Sequence, residues 1–174
     1  LDYVLGACRQ AGIGEMIVVV GYAKDQVIEQ YSDHDDIVFV EQAEQKGTGH
    51  AVLCAKEHLE GFDGQTVILC GDTPLLRTET VKTLIEKHES EKSAVTLATT
   101  ILEDPKGYGR IVRDEYGNMQ GIVEENDCTD EQRKIQEINP AYYCFDTPVL
   151  IEALGQIKNN NAKGEYYLTD ALHI

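Results

Sequence analysis

The stretch with the clearest chemical potential is an apolar run at 67–70 (Val-Ile-Leu-Cys) that ends abruptly at Gly71-Asp72-Thr73-Pro74. Consecutive apolar residues without alternation are typical of a strand covered on both faces, as in a parallel sheet flanked by helices. The glycine and the proline mark its carboxyl end. Because ligands of open α/β sheets bind beyond the carboxyl ends of strands, Asp72 is well placed to hold a hard cation. The alternative is that Asp72 only caps its own turn.

A second polar stretch, residues 42–50, contains Gly47-Thr48-Gly49 immediately before a small-residue segment, 51–59, that we predict to be helical. Glycines allow backbone amides to approach a ligand closely, and the amino terminus of a helix favours anions. This stretch is therefore a candidate ligand-binding loop. The same residues can also form an ordinary polar connection between a strand and a helix.

Alternating elements must position these two stretches. Apolar spacing predicts helices over 1–11, 25–31, 51–59 and from Thr78 onward, separated by strands over 16–20, 37–40 and 67–70. This alternation predicts an α/β fold with a mostly parallel sheet flanked by helices. Strand-like segments at 110–113 and 119–124, joined by a turn at 116–118, predict a small antiparallel excursion. A strand over 137–145 and a helix over 147–157 are expected to follow.

Size and charge exclude several classes of protein. The chain of 174 residues suits a single domain, and it contains neither a bilayer-spanning apolar segment nor a secretory signal. We therefore expect a cytoplasmic protein without membrane partners. A net charge of −16 argues against nucleic-acid binding, and five scattered cysteines without metal-site spacing are expected to be reduced. Because it starts at Leu1, the chain is expected to be part of a longer one.

Four motifs taken together resemble one family. They lie at 42–51 (Gln-Ala-Glu-Gln-Lys-Gly-Thr-Gly-His-Ala), 71–75 (Gly-Asp-Thr-Pro-Leu), 107–111 (Gly-Tyr-Gly-Arg-Ile) and 160–170 (Asn-Asn-Ala-Lys-Gly-Glu-Tyr-Tyr-Leu-Thr-Asp). Their order and spacing are similar to those of the uridyltransferase domain of the bacterial bifunctional N-acetylglucosamine-1-phosphate uridyltransferase/glucosamine-1-phosphate acetyltransferases. The resemblance covers essentially the whole chain.

The resemblance implies a nucleotide-diphospho-sugar transferase (Rossmann-like) fold and a single partial uridyltransferase domain over 1–174. The implied reaction is the Mg²⁺-assisted formation of UDP-N-acetylglucosamine and pyrophosphate from UTP and N-acetylglucosamine-1-phosphate, for cell-wall precursor synthesis. The family's amino-terminal strand and its Gly-rich phosphate loop would precede Leu1, and its acetyltransferase domain, which builds a homotrimer, would follow Ile174. Without that loop, residues 1–174 are expected to bind UTP poorly and to turn over negligibly.

The resemblance also implies a role for each candidate residue. Asp72 would be the catalytic Mg²⁺ ligand, and Gln42 would offer a donor and an acceptor to the edge of uracil. The other residues assigned to substrate binding, together with Gln42 and Asp72, are Gly47 and Thr48 beside the base, Cys70 and Gly71 before Asp72, and Gly109, Glu124 and Asn139 on the sugar side. Read alone, Glu124 fits a solvated charge at a strand end better than a ligand-binding group.

The chain departs from the family at the expected sugar site. The family commonly has Asn-Thr-Gly where this chain has Asn139-Pro140-Ala141, and proline removes a backbone donor close to the expected sugar site.

The five histidines are predicted to be structural, because His50 and His88 lie on helical segments without an evident second ligand. Two other functions stay open: a related sugar-1-phosphate nucleotidyltransferase of different specificity, and a non-catalytic module that binds nucleotides.

Overall fold

The computed structural model describes residues 1–174. Six α-helices form: α1 Asp2–Ala11, α2 Lys24–Tyr31, α3 Thr48–Cys54, α4 Lys56–Leu59, α5 Thr78–Glu91 and α6 Thr147–Leu154. Nine strands form: β1 Met16–Val20, β2 Ile37–Glu41, β3 Gln65–Ile68, β4 Val95–Leu97, β5 Thr100–Ile101, β6 Gly109–Arg113, β7 Met119–Val123, β8 Glu137–Asn139 and β9 Tyr143–Asp146. Short 3₁₀ helices lie at Glu125–Asp127, Gln132–Lys134 and Leu168–His173. The longest helix, α5, has 14 residues, and no helix could span a bilayer.

The strands form three hydrogen-bonded groups of mixed direction. β1 and β2 are parallel, with Met16 opposite Ile37. β9 lies between β3 and β4 and is antiparallel to both, and an outer sheet has the antiparallel order β5-β8-β6-β7. The α/β class and the antiparallel excursion are confirmed, but strand pairing is mixed rather than mostly parallel. The strand that precedes Asp72 pairs with β9, which returns to it antiparallel after the excursion.

β1 and β3 lie between two apolar cores. Ile17 and Ile68 pack against one cluster, which includes Phe145 and Leu150, whereas Val18 and Val67 pack against the other, which includes Val4. Successive side chains of a strand point to opposite faces, so a strand between two cores must be apolar at every position. This is why the uninterrupted apolar runs occur where they do.

An open cleft separates β1 from β3. β1 pairs only with β2 and β3 pairs only with β9, and a cavity of about 1400 Å³ lined by both strands lies between them. We call this cavity the cleft. Ile17, Val18 and Val67 are consequently half-buried, although the sequence predicts strands covered on both faces.

Several predicted boundaries shift for local reasons. Pro140 separates β8 from β9, because proline cannot donate to a strand ladder, so the single strand predicted over 137–145 is wrong. The helix predicted over 51–59 is divided at Ala55, and α6 ends at Leu154, before Gly155. α1 ends as predicted, with Gly12 in the left-handed conformation at φ 93°.

Candidate active site

The cleft gathers most of the residues that the sequence nominates. Seven of the nine line it: Thr48, Cys70, Gly71, Asp72, Gly109, Glu124 and Asn139. The remaining two, Gln42 and Gly47, lie in the loop that leads to Thr48, where the Gln42 Nε2 donates to the Gly47 carbonyl at 3.1 Å. Asp72, Glu124 and Thr48, the last residue of the candidate base loop, therefore share one cleft.

The 42–47 loop is held by backbone contacts to a distant segment. The amide of Gln42 donates to the Val20 carbonyl at 2.8 Å, which continues the β1–β2 ladder, and the amide of Tyr166 donates to the Lys46 carbonyl at 2.8 Å. Gly47 has φ +104°, and a Cβ there would lie 2.6 Å from the Tyr166 carbonyl oxygen. Only glycine fits this position, because any side chain would collide with backbone and would be strained at that φ.

The Asp72 turn is closed without help from its aspartate. The Thr73 hydroxyl donates to the Cys70 carbonyl at 2.8 Å, while the exposed Asp72 carboxylate makes no hydrogen bond. The capping interpretation of Asp72 therefore has no support in the structure. Gly71 lies beside Leu1, since a Cβ on Gly71 would be 3.4 Å from Leu1 Cδ1. α1 runs from Leu1 to the start of β1, so Leu1 lies near the carboxyl end of β1. Because Leu1 also lies beside Gly71, which follows β3, the carboxyl ends of β1 and β3 lie at the same rim.

Glu124 is a half-buried carboxylate rather than a solvated strand end. Burial raises the pKa of Glu124, although the Thr169 hydroxyl donates to Glu124 Oε1 at 3.0 Å and acts in the opposite direction. A Cβ on Gly109 would lie 3.4 Å from Glu124 Oε2 and 2.8 Å from Ile122 Cγ2. The glycine therefore leaves room for the carboxylate at the mouth of the cleft.

Asn139 is buried and is fixed at both ends of its side-chain amide. Its Nδ2 donates to the Tyr143 hydroxyl, and its Oδ1 accepts from the amide of Ala141 at 3.0 Å. Burial raises the pKa of Tyr143, which keeps this hydroxyl neutral. Ala141 has φ +63°, a conformation that costs a residue with a Cβ about 1 kcal/mol. The Pro140-Ala141 sequence thus keeps the turn but strains it.

Sequence reasoning missed Arg110 as an organiser of this site. Arg110 is 2% exposed, and its Nη2 donates to Glu125 Oε2 at 2.7 Å while its Nη1 donates to the Tyr108 carbonyl. Glu125 also accepts from the amide of Gly107 at 3.1 Å, and Arg110 holds the pKa of this carboxyl below its ordinary value. Arg110 and Glu125 therefore fix the 107–109 loop. The only available signal was a charged residue directly after Gly-Tyr-Gly.

Tyr143 and His50 were also missed as residues that contact the site. Tyr143 reads as one more aromatic residue of a buried strand, and His50 was predicted to be structural. The structure places His50 Nδ1 2.9 Å from Gln42 Nε2. His88, by contrast, is buried between Thr96 and Asp146, as a structural histidine would be.

The charges around the cleft suit a divalent cation with few protein ligands. No group of three or more His, Cys, Asp or Glu side chains is arranged to hold a metal ion by itself. Asp72 and Glu124 line the cleft, and no lysine or arginine does. Mg²⁺ usually retains several waters and binds one or two carboxylates beside substrate phosphates, so a single exposed Asp72 fits that requirement. A dedicated protein cage is neither present nor needed.

Comparison with known proteins shows the family. The sequence profile of a family described as "Nucleotidyl transferase" matches residues 1–174. The chain belongs to the nucleotidyl transferase family. Among curated relatives of this nucleotidyl transferase, the bifunctional protein GlmU of Geotalea daltonii is 45% identical over 172 residues, which are 99% of this chain and 38% of the relative. GlmU of Clostridium perfringens is 46% identical over 174 residues, which are 100% of this chain and 38% of the relative.

Solved structures show the same fold at much lower sequence identity. A UDP-glucose pyrophosphorylase complexed with UDP-glucose superposes with a TM-score of 0.72 at 18% identity, covering 98% of this chain and 72% of that one. The nucleotide-diphospho-sugar transferase fold predicted for this nucleotidyl transferase is thereby confirmed. The chain spans about 38% of the length of its curated relatives. The roles of the nine site residues stay predictions.

Proposed function

We propose that this nucleotidyl transferase supplies the uridyl-transfer site of an enzyme that makes UDP-N-acetylglucosamine and pyrophosphate from UTP and N-acetylglucosamine-1-phosphate. The observation that carries the proposal is the shared cleft. It brings together Thr48 at the end of the glutamine- and glycine-bearing loop, the unpaired Asp72 after β3, and a buried Asn139 near a half-buried Glu124. A nucleotide, a cation and a sugar each require one of these three environments.

The chemistry requires no protein nucleophile. An oxygen of the sugar phosphate attacks the α-phosphorus of UTP, the bond from that phosphorus to the bridging oxygen breaks, and pyrophosphate leaves with the electron pair. Catalysis then consists mainly of alignment and charge neutralisation. Gln42 and Gly47 would hold the base, while Gly109, Glu124 and Asn139 would orient the sugar.

Asp72 is the residue that would hold Mg²⁺, consistent with its exposed and unpaired carboxylate. Bound there, the cation would neutralise phosphate charge. Asp72 would orient it at the strand end, and no other carboxylate is required of the protein. Because both substrates are cytosolic phosphates and no helix could span a bilayer, a cytoplasmic location suits this function.

Residues 1–174 alone should release pyrophosphate negligibly. No lysine or arginine lines the cleft, so a triphosphate would meet the carboxylates of Asp72 and Glu124 with little to offset them. A coupled assay with UTP, N-acetylglucosamine-1-phosphate and Mg²⁺ measures this directly. Robust turnover by these residues alone would contradict the expectation.

Transplantation tests the catalytic assignment. Residues 1–174 replace the matching 172 residues of the Geotalea daltonii relative, and pyrophosphate release is measured for the chimera. In that chimera Asp72→Asn should lower turnover at least about 100-fold, because it removes the charge that holds the cation. Asp33→Asn, which changes an exposed aspartate outside the cleft, is the matched control. Near-normal activity of Asp72→Asn would remove this residue from the mechanism.

The same chimera distinguishes the two other functions. Comparison of UTP with dTTP, and of N-acetylglucosamine-1-phosphate with glucose-1-phosphate, identifies a nucleotidyltransferase of different specificity. A non-catalytic module would bind UDP-N-acetylglucosamine but release no pyrophosphate with any pair. The proposed function requires turnover with UTP and a preference for the N-acetylated sugar.

A further inference from the structure

The side-chain amide of Gln42 has a defined orientation. Its Nε2 lies 3.1 Å from the Gly47 carbonyl oxygen and 2.9 Å from His50 Nδ1. A carbonyl oxygen can only accept, so the atom facing Gly47 must be the nitrogen of the amide. The second N–H then points at His50 Nδ1, which must accept. His50 Nδ1 is therefore the acceptor of this contact, and Gln42 Oε1 is left as an acceptor without a protein partner.

We propose that His50 is a positioning residue that makes Gln42 present only an acceptor to the nucleotide base, and that this contact selects uracil over cytosine. The inference rests on the proposed function, in which the 42–48 loop binds the base. Uracil offers an N3–H donor and an O4 acceptor at its edge, whereas cytosine offers the N3 lone pair and an N4 amino donor. A fixed Oε1 complements the first pattern and opposes the second.

Gly47 completes this pattern from the same loop. Its amide donates to no backbone carbonyl of the protein, although the amides on either side of the loop do. An N–H donor from Gly47 and an Oε1 acceptor from Gln42 would together complement O4 and N3–H of uracil. Cytosine would place its N4 amino group towards an N–H and its N3 lone pair towards an oxygen, so both contacts would be lost.

His50 is held rigidly enough for this role. It lies on α3, whose start is attached to the 165–168 segment: the amide of Gly49 donates to the Tyr166 carbonyl at 2.8 Å, and the Thr48 hydroxyl accepts from the amide of Leu168 at 3.0 Å. The ring of Tyr166 lies beside that of His50, with centroids 6.4 Å apart. Without His50, the Gln42 amide would be held by the Gly47 carbonyl alone, so Oε1 would be fixed less firmly against the base and would oppose cytosine less strongly.

Binding of nucleoside monophosphates tests the proposal on residues 1–174 themselves. UMP and CMP carry one phosphate each, so their binding depends less on neutralisation of charge than that of UTP. Isothermal titration would compare wild type with His50→Leu, which removes the acceptor, and His50→Asn, whose Oδ1 can replace Nδ1. His50→Leu should lower the preference for UMP over CMP about tenfold, while His50→Asn should keep it within about twofold.

A matched control and a ligand-free measurement exclude a merely structural effect. His34→Leu makes the same change at an exposed histidine outside the loop and should leave the preference unchanged. In the ¹⁵N-labelled chain, a through-hydrogen-bond coupling should join Gln42 Nε2 to His50 Nδ1. An absent coupling would overturn the proposal, as would a His50→Leu variant that unfolds at the wild-type temperature and keeps its preference within about twofold.

The outcomes separate this inference from the function on which it rests. If wild type shows no preference for UMP over CMP, the uridine assignment fails and the inference falls with it. If wild type prefers UMP and His50→Leu does so equally, only the role of His50 is overturned. Loss of preference in His50→Leu with rescue by His50→Asn supports both.

Discussion

β1 beside the cleft and β6 in the outer sheet are both five-residue strands, yet they are buried to very different degrees. The three central residues of β1 are all apolar and all half-buried, whereas β6 buries even the guanidinium of Arg110. β6 is paired on both edges, by β7 and β8, and β1 on one edge only. Within residues 1–174, burial of these two strands therefore follows the pairing of their edges.

The largest expected effect compares two Arg–carboxylate pairs. Arg110→Met should cost about 3 kcal/mol, because Glu125 would lose its partner in a largely buried site. Arg9→Met, at the Arg9–Asp36 pair beside β2, should cost less than about 1 kcal/mol, since these side chains are 35% and 30% exposed. Urea denaturation measures both losses. Equal losses would show that the two regions do not differ in burial of charge.

A matched pair of isoleucines compares the strands themselves. Ile111→Ala in β6, where the side chain is 2% exposed, should cost about 3 kcal/mol. Ile17→Ala in β1 should cost roughly 1 kcal/mol, because the half-buried side chain already borders the cleft and leaves less new cavity. The free energy of unfolding from urea titration decides between them. An Ile17→Ala loss as large as that of Ile111→Ala would contradict the comparison.

Hydrogen exchange sharpens the comparison without any mutation. Amides of β1 and β3 that do not take part in the ladders with β2 and β9 should exchange about 100-fold faster than those of β6, because one edge of each strand faces the cleft. Mass spectrometry of peptides that cover 16–20, 65–68 and 109–113 measures the rates. Uniform protection across the three peptides would show that the cleft is closed in solution.

Relief of a strained turn at the edge of the cleft should raise the stability of the protein, whereas the substitutions above lower it. Ala141→Gly should stabilise the protein by about 1 kcal/mol, because glycine adopts φ +63° without a steric penalty. Ala23→Gly, at φ +56° before α2, should change stability in the same direction. Ala162→Gly is the control, since Ala162 has no positive φ and should lose stability. Destabilisation by Ala141→Gly would show that its φ is not strained.

The smallest expected effect depends on pH. Burial raises the pKa of Glu124 in the folded protein, so ionisation costs the folded state stability as pH rises through the ordinary glutamate value of 4.5. Glu124→Gln removes that cost and should raise the unfolding temperature at about pH 7 but not at about pH 3, where the carboxyl is almost entirely protonated in both states. The same difference at both pH values would indicate that burial does not control this carboxyl.

Local sequence signals predicted much of the fold. β1 and α1 lie where apolar periodicity placed them, and the turn at 116–118 joins β6 to β7. The antiparallel pairing of β3 with β9 was not predicted, because β9 lies some eighty residues later in the chain. The break between β8 and β9 has a signal in the sequence, because Pro140 cannot donate to a strand ladder, although the strand predicted over 137–145 runs across it.

The candidate site also has a part that the sequence predicted and a part that it did not. Seven nominated residues line one cleft because motifs that end strands or form glycine turns bring them to the same rim. Contacts between side chains from different elements were not predictable: Asn139 with Tyr143 across Pro140, Arg110 with Glu125, and Gln42 with His50. Each depends on rotamers and distances that residue type does not specify.

The sequence by itself determined which segments become helices and strands and which residues could bind a cation or a nucleotide, because periodicity and turn chemistry act over a few neighbouring positions. Tertiary structure alone decided which of these residues line one cleft, that Glu124 is partly withdrawn from water, and that the amide of Gln42 contacts His50. These outcomes depend on packing between segments far apart in the chain, where small differences in position decide whether a group is buried, paired or free.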